Sequence, residues 1–360
     1  MRLVQTFWRI CGIFTIDLTY NKFQYVFSVL LMATCVYNYI TASETLCKLD
    51  HSWCEIFSKP MTGMYTRVLA FTTFLSRIAI VVQSKHHLFK YKATIKAFEI
   101  YSPTSTTGFR EYKLFSFVIV FLCLVTILPI NISRLYHLYY YETHNDNSLL
   151  VYYLFIYIQN LSMCCIETQF VSQCFIIYIK FREINGDMKK LKDENFNYDK
   201  YPFIMGFSAV AYKDYKTSLQ CVRYDKDFYK PPFVSHPMAN TVEIFRIKHW
   251  LTRQAVDILN NLFGFHMGLS VFLLWVMALF DIYYEIFRNA PSKILVYCWL
   301  LQYCLRMFMI ILIPHYTTKQ AMKSKSLIAD TNNRMLDNST KDEAIAAGLT
   351  YLVILIRFHS

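Results

Sequence analysis

Six long apolar runs limit what this chain can fold into more than any other feature of its sequence. About 20 helical residues cross a hydrocarbon core of roughly 30 Å, and each run reaches that length. The runs cover residues 23–42, 64–84, 114–133, 148–179, 262–284 and 293–314, and a shorter apolar tail covers 344–358. The composition agrees, with 55% hydrophobic residues and a mean hydropathy of +0.27. The sequence therefore predicts an all-α multipass membrane protein in which the seventh and last helix is short.

The chain is predicted to form a single membrane domain over residues 1–360, with a cytoplasmic helical extension at 180–261. The fourth run is too long for the bilayer alone, and apolar residues at helical spacing continue beyond it: Phe181, Ile184, Met188 and Leu191. A similar series leads into the fifth run: Ile244, Ile247, Trp250, Leu251, Ile258 and Leu262. Between the two series, "KPPFVSHP" at Lys230–Pro237 breaks any helix and predicts a loop.

The distribution of Lys and Arg predicts the orientation of the chain, because cytoplasmic loops retain these residues. The segments 1–22, 85–113, 180–248 and 315–343 carry 27 of them, whereas the alternate segments and the tail carry 5. The N-terminus is therefore expected inside and, after seven crossings, the C-terminus outside. The net charge of +12 follows mainly from this excess, so it indicates contact with anionic membrane lipid and no nucleic acid as a partner.

The sequence contains none of the motifs that would indicate an enzyme. It has no Gly-rich phosphate loop, no G-x-S-x-G and no H-E-x-x-H. We therefore expect no catalytic residues, no cofactor and no metal. Most of the cysteines lie in the apolar runs, but Cys47 and Cys54 share an outward loop, where they either form a disulfide or remain two free thiols.

We single out four ionisable residues within the runs, where charge is costly and usually faces protein or water. Arg67 lies near the outer surface, where its side chain can extend to water. Arg77, Glu167 and Arg306 lie deeper. Two interpretations remain open: Glu167 pairs with Arg77 or Arg306 to support the fold, or it contacts a ligand directly.

Aromatic and polar residues are concentrated at the predicted outer ends of the helices, where Tyr303 and Asp281 are also found. Aromatic walls with few polar groups are typical of a small-molecule pocket, but an interfacial aromatic belt has the same composition. The candidate pocket residues are Arg67, Asn131, Tyr153, Tyr157, Gln159, Trp275, Tyr284, Trp299 and Gln302.

Two stretches carry a resemblance to a known family. "TYLVILIRF" at Thr350–Phe358 resembles the signature that ends insect gustatory receptors: Thr-Tyr, five hydrophobic residues, then Gln-Phe. "HWLTRQAVDILNNLFGFHMGLSVFLL" at His249–Leu274 resembles the segment by which these receptors enter their fifth helix. The family is related to the insect odorant receptors. Its members are seven-helix chemoreceptors of the plasma membrane that assemble as tetrameric, ligand-gated cation channels and detect small-molecule tastants.

The resemblance implies a homotetramer, or a heteromer with related receptors, whose pore is lined by the last helix. It places Ile354, Arg357 and Phe358 toward the pore, and the spacing i, i+3 and i+4 is one helical face. Arg357 departs from the family, which has Gln at that position, and either faces the pore or extends into water. The polar stretch Met322–Glu343 also departs, since the family has an apolar segment there.

Three alternatives to a conducting gustatory receptor remain. A chain that lacks the segment before the last helix can be a truncated or decayed receptor that does not conduct. A G-protein-coupled receptor needs the N-terminus outside, which the charge distribution opposes. A transporter typically has spans broken by Gly or Pro near mid-membrane, and here only Pro129 and Pro314, both at predicted helix ends, approach that pattern.

Overall fold

A computed structural model of the chain describes residues 2–12, 22–49, 64–101, 105–142, 147–200, 237–288 and 293–334. In these residues the fold is built from helices alone. They are α1 (Arg2–Ile10), α2 (Lys22–Leu49), α3 (Met64–Tyr101), α4 (Thr106–His137), α5 (Asn147–Lys200), α6 (Pro237–Arg288) and α7 (Lys293–Arg334), with a π-helical turn at Leu138–Glu142 after α4.

Six of the described helices, α2 to α7, are long and apolar enough to cross a membrane. The all-α, multipass part of the prediction is therefore confirmed. The seventh crossing at 344–358 lies outside the described residues. Several helices are much longer than the apolar run they contain: α5 has 54 residues, which at a rise of ~1.5 Å per residue amounts to about 80 Å.

The described residues fall into two compact units. The first comprises Met1–Lys92, Thr106–Phe175 and Asp257–Pro314, and the second comprises Ala93–Ser105, Ile176–Val256 and His315–Ser360. The sequence predicted one membrane domain with a cytoplasmic helical extension at 180–261, and the second unit contains most of that extension.

In the second unit, four helices share a small apolar core. Phe98 of α3, Ile184 and Met188 of α5 and Leu251 of α6 form a buried cluster, against which Leu327 of α7 packs. Polar contacts surround it: Asn185 donates to the Gln320 carbonyl oxygen at 2.9 Å, and Ser324 donates to Asn185 at 2.6 Å. The apolar face predicted beyond the fourth run is thus a packed face. Trp250, predicted on the equivalent face of α6, is instead 51% exposed.

The two prolines expected at helix ends lie inside helices, so that expectation is wrong. Pro129 is within α4 and Pro314 within α7, and neither helix ends there. A proline removes one backbone donor, and membrane helices tolerate this loss where neighbouring groups satisfy the freed carbonyl. Beyond Pro314, the polar continuation of α7 belongs to the second unit, and Thr317 and Ser324 are buried there.

Within the first unit, α4 and α5 pack around Cys123, Ile127, Leu161 and Cys164. The sulfur atoms of Cys123 and Cys164 are in contact there. The sequence had suggested Cys47 and Cys54 as the candidate pair; Cys54 and the side chain of Cys47 lie outside the described part of the structure. Cysteines inside apolar runs behave as small hydrophobic residues. The sequence therefore contains no pattern that would predict a contact between a cysteine of α4 and a cysteine of α5.

Candidate functional site

A buried ion pair lies in the first unit. The Arg306 guanidinium donates from Nε to Glu167 Oε2 at 2.8 Å and from an Nη atom to Glu167 Oε1 at 2.7 Å. Its other Nη atom donates to Asn160 Oδ1 at 2.8 Å, and Ser270 also donates to Glu167. An ion pair between an arginine and a carboxylate is strongest when the guanidinium donates two parallel hydrogen bonds to the carboxylate. The sequence left both Arg77 and Arg306 open as partners of Glu167, and in the structure Glu167 pairs with Arg306.

Arg77 makes no contact with a carboxylate in the described residues. It is fully buried, and its guanidinium donates to the Gly12 carbonyl oxygen at 3.2 Å and to the Ser162 hydroxyl. Its charge lies 5.9 Å from the centre of the Phe27 ring. The turn at residues 11–12, directly after α1, therefore lies close to Arg77. A second hydrogen bond of this region runs from Trp8 of α1, which donates to Thr168 at 3.2 Å.

His266 is a fully buried residue that the sequence interpretation did not select. One of its ring nitrogens is hydrogen-bonded to Ser76, and its Nε2 has no partner. No sequence signal distinguished it, since a single histidine in an apolar run has no spacing to interpret. Among the described residues, no group of three His, Cys, Asp or Glu side chains gathers closely enough to hold a metal ion.

Aromatic rings pack against a third arginine of the first unit, Arg134 at the end of α4. Its guanidinium carbon lies 4.8 Å from the centre of the Trp299 ring and 5.6 Å from that of Tyr153. Tyr153 is also a hydrogen-bond partner of Arg134, and the Tyr157 ring lies 6.2 Å from the Tyr153 ring. Cations stack on aromatic faces because the ring face carries negative charge.

Asp281 of α6 extends this group of side chains. Its carboxyl is hydrogen-bonded to Tyr303 of α7, and Tyr303 also bonds to Tyr65 of α3. The second carboxylate oxygen of Asp281 and the hydroxyl of Tyr157 are buried without a partner. We use the name aromatic cluster for seven residues: Tyr65, Arg134, Tyr153, Tyr157, Asp281, Trp299 and Tyr303.

The aromatic cluster contains three of the nine predicted pocket residues, Tyr153, Tyr157 and Trp299. Gln302 and Asn131 are buried elsewhere on α7 and α4, and Gln302 Nε2 has no partner. Three other predicted pocket residues lie outside the aromatic cluster, with other contacts or on the surface. Gln159 donates to Thr34 at 3.3 Å, Arg67 donates to Ser43 at 2.6 Å, and Trp275 is 59% exposed.

Several predicted residues have no described side chain. Tyr284 lies in α6, but its side chain is outside the description, and so are the candidate pore residues Ile354, Arg357 and Phe358. The structure adds two residues that the sequence interpretation missed, Arg134 and Tyr65. Arg134 had been counted only as a charge of an outward loop, although its position at the end of an aromatic-rich run was a usable signal.

A scan against known protein families finds no match, and a search of curated proteins finds none either.

Proposed function

We propose that the chain is a chemoreceptor of the insect gustatory type, a subunit of a ligand-gated cation channel that detects small-molecule tastants at the plasma membrane. The observation that carries this proposal is the aromatic cluster. It combines large ring surfaces from three helices, α3, α5 and α7, with the charged groups of Arg134 and Asp281 from α4 and α6. A large apolar surface with few polar groups is the composition of a ligand site. The tail signature Thr350–Phe358 gives independent support from the sequence.

The unused polar atoms of the aromatic cluster suit a ligand. A buried oxygen without a hydrogen bond is energetically unfavourable, and Asp281 and Tyr157 each have one. A small molecule that donates a hydrogen bond to Asp281 while it lies against Tyr157 would relieve this cost. An interfacial belt has no such requirement, since its polar atoms face water.

Helix α7 provides a route from the ligand to the rest of the bundle. Trp299, Tyr303 and Arg306 follow one another at i, i+4 and i+7 and therefore share one helical face. The first two belong to the aromatic cluster, and Arg306 holds Glu167 of α5. A ligand that displaces Trp299 or Tyr303 thus acts on the helix that carries the buried ion pair, and we expect gating to proceed through this helix in a homotetramer or a heteromer.

The test is whole-cell current in cells that express the chain, screened against sugars and bitter compounds. Trp299→Ala should raise the concentration for half-maximal response at least tenfold while surface expression is unchanged. Trp275→Ala is the matched control, because it removes the same side chain from an exposed position and should leave the response as it was. Equal shifts from both variants would contradict the proposal. So would the absence of current with every compound from surface-expressed protein in which Arg357→Gln restores the family residue.

The same experiment separates the proposal from its rivals. A G-protein-coupled receptor would need G protein for its response, and a transporter would accumulate substrate inside the cell. The described helices give the transporter little support, because α4 and α7 continue past Pro129 and Pro314.

A further inference from the structure

Two ring faces of the aromatic cluster lie against a positive charge of the chain itself. The guanidinium carbon of Arg134 is 4.8 Å from the centre of the Trp299 ring and 5.6 Å from that of the Tyr153 ring. Ring faces carry partial negative charge and attract cations of either origin, a side chain or a ligand. The aromatic cluster therefore already surrounds one positive group with the surfaces that a cationic ligand would use.

The polar atoms of the aromatic cluster that lack a partner can accept a hydrogen bond. One carboxylate oxygen of Asp281 and the hydroxyl of Tyr157 are buried, and neither has a hydrogen-bond partner among the described residues. An ionised carboxylate only accepts hydrogen bonds, and burying such an oxygen without a donor is energetically unfavourable. Arg134 does not supply that donor, since its contacts are the two ring faces and a hydrogen bond with Tyr153.

These features favour one sign of ligand charge. A positive group with N–H donors would satisfy the free oxygen of Asp281 and bind to the ring faces at the same time. An anion would be repelled by the same carboxylate and by the same ring faces, and its attraction to Arg134 would have to overcome both.

We propose that the ligand of the aromatic cluster is an organic ammonium ion, and that Arg134 competes with it for the ring face of Trp299. The ammonium group donates to the free oxygen of Asp281 and takes the place of the guanidinium on the ring. Arg134 is partly exposed and lies close to the end of α4, so its long side chain can extend into water when it is displaced. This inference rests on the proposed function, because it names the class of ligand that the same site would detect.

Competition of this kind lowers the apparent affinity for the ligand. An ammonium ion that must displace the guanidinium binds only to the fraction of molecules in which Arg134 has left the ring. Removing the charge of Arg134 should therefore strengthen ammonium binding, and Asp281 would then attract the ligand without an opposing charge. A side chain that only supported the fold would give the opposite result, because its loss would weaken binding.

The test is isothermal titration of purified full-length protein in detergent with three probes at pH 7: phenethylammonium, phenethyl alcohol and phenylpropionate. All three carry a phenyl ring on a short chain, and the alcohol donates a hydrogen bond without a charge. The ammonium should bind about tenfold more tightly than the alcohol, and the anion should bind most weakly. Equal binding of ammonium and alcohol, preference for the anion, or no binding of the ammonium would overturn the proposal.

Variants test the competition itself. Arg134→Gln should raise the affinity for phenethylammonium about tenfold, whereas Arg134→Lys, the matched control that keeps the charge, should leave it nearly unchanged. Asp281→Asn and Trp299→Ala should each lower it about tenfold, and Trp275→Ala should not change it, because Trp275 is exposed. An affinity that stays the same or falls in Arg134→Gln would overturn the competition. If that variant does not fold, the three probes on the unmodified protein still decide the ligand class.

Binding is measured without conduction, so this inference and the proposed function fail separately. Phenethylammonium that binds as expected but evokes no current, even from the Arg357→Gln form, would contradict the receptor function and leave the ammonium site in place. Currents evoked through the aromatic cluster by uncharged compounds alone would support the receptor function and overturn the ammonium ligand.

Discussion

Glu167 and Arg306 neutralise each other inside the first unit, where their side chains are 4% and 7% exposed. Either residue alone would be a buried charge without a counter-ion. We therefore expect Glu167→Gln and Arg306→Met each to lower the free energy of unfolding by about 3–5 kcal/mol. Thermal and denaturant unfolding of the purified protein in detergent would measure the loss.

The double variant Glu167→Gln/Arg306→Met provides the control, because it removes both charges at once. A buried pair replaced by neutral residues often costs little, so the double variant should be more stable than either single variant. Losses that simply add would indicate that the two residues contribute independently and that the pair is not the stabilising unit.

At the level of single residues, the sequence predicted which charged side chains lie among the apolar helices, but it did not predict the partner of each one. Glu167, Arg306 and Arg77 were selected because each carries a charge in an apolar run, but which charge meets which depends on helix packing. Tyr65 was missed because one tyrosine among 28 has no distinguishing pattern. Trp275 and Trp299 have similar apolar surroundings in the sequence, yet only Trp299 packs against Arg134.

Among the helices, the apolar runs begin within one residue of the start of α2, α3, α5 and α7, but they do not predict where these helices end. The second run was limited to 64–84, whereas α3 continues to Tyr101, and the sixth run was limited to 293–314, whereas α7 continues to Arg334. Hydropathy marks the part of a helix that suits lipid. The polar continuations are instead stabilised by packing, as at the cluster of Phe98, Ile184 and Leu251.

The turn after α1 should be the described element most sensitive to a small substitution. Gly12 has a φ of 70°, and a Cβ atom built there would clash with the ring of Phe27. We expect Gly12→Ala to destabilise the protein by about 2 kcal/mol or more, since a left-handed backbone alone costs roughly 1–2 kcal/mol for alanine. A lower melting temperature in detergent would show the effect.

Gly186 is the matched control for Gly12. It lies inside α5, and a Cβ atom there would meet nothing within 4 Å. Alanine is favoured over glycine in a helix by roughly 0.5–1 kcal/mol, so Gly186→Ala should leave stability unchanged or raise it slightly. If Gly12→Ala were tolerated as well as Gly186→Ala, the tight turn would not be a determinant of the fold.

Across the whole molecule, the aromatic cluster and the charge distribution favour the same orientation. The cluster combines residues from the beginnings of α3, α5 and α7 with residues from the ends of α4 and α6, as expected for helices that alternate in direction. The loops at this end of the first unit are the ones with few Lys and Arg. The positive-inside rule therefore predicts that the cluster faces outward, where an external tastant can reach it.

In the proposed channel, Arg357 is the residue expected to limit conduction, because the family resemblance predicts a position in the pore for it. In a tetramer, two guanidinium groups ~8 Å apart repel by about 2 kcal/mol at an effective dielectric near 20, before screening by salt. An entering cation would meet four such charges, so we expect the chain to conduct cations poorly. Arg357→Gln, which restores the family residue, should raise the ligand-evoked cation current several-fold at equal surface expression. Equal and robust currents from both forms would show that Arg357 extends into water instead. Silence from both forms at the cell surface would contradict the proposed channel function.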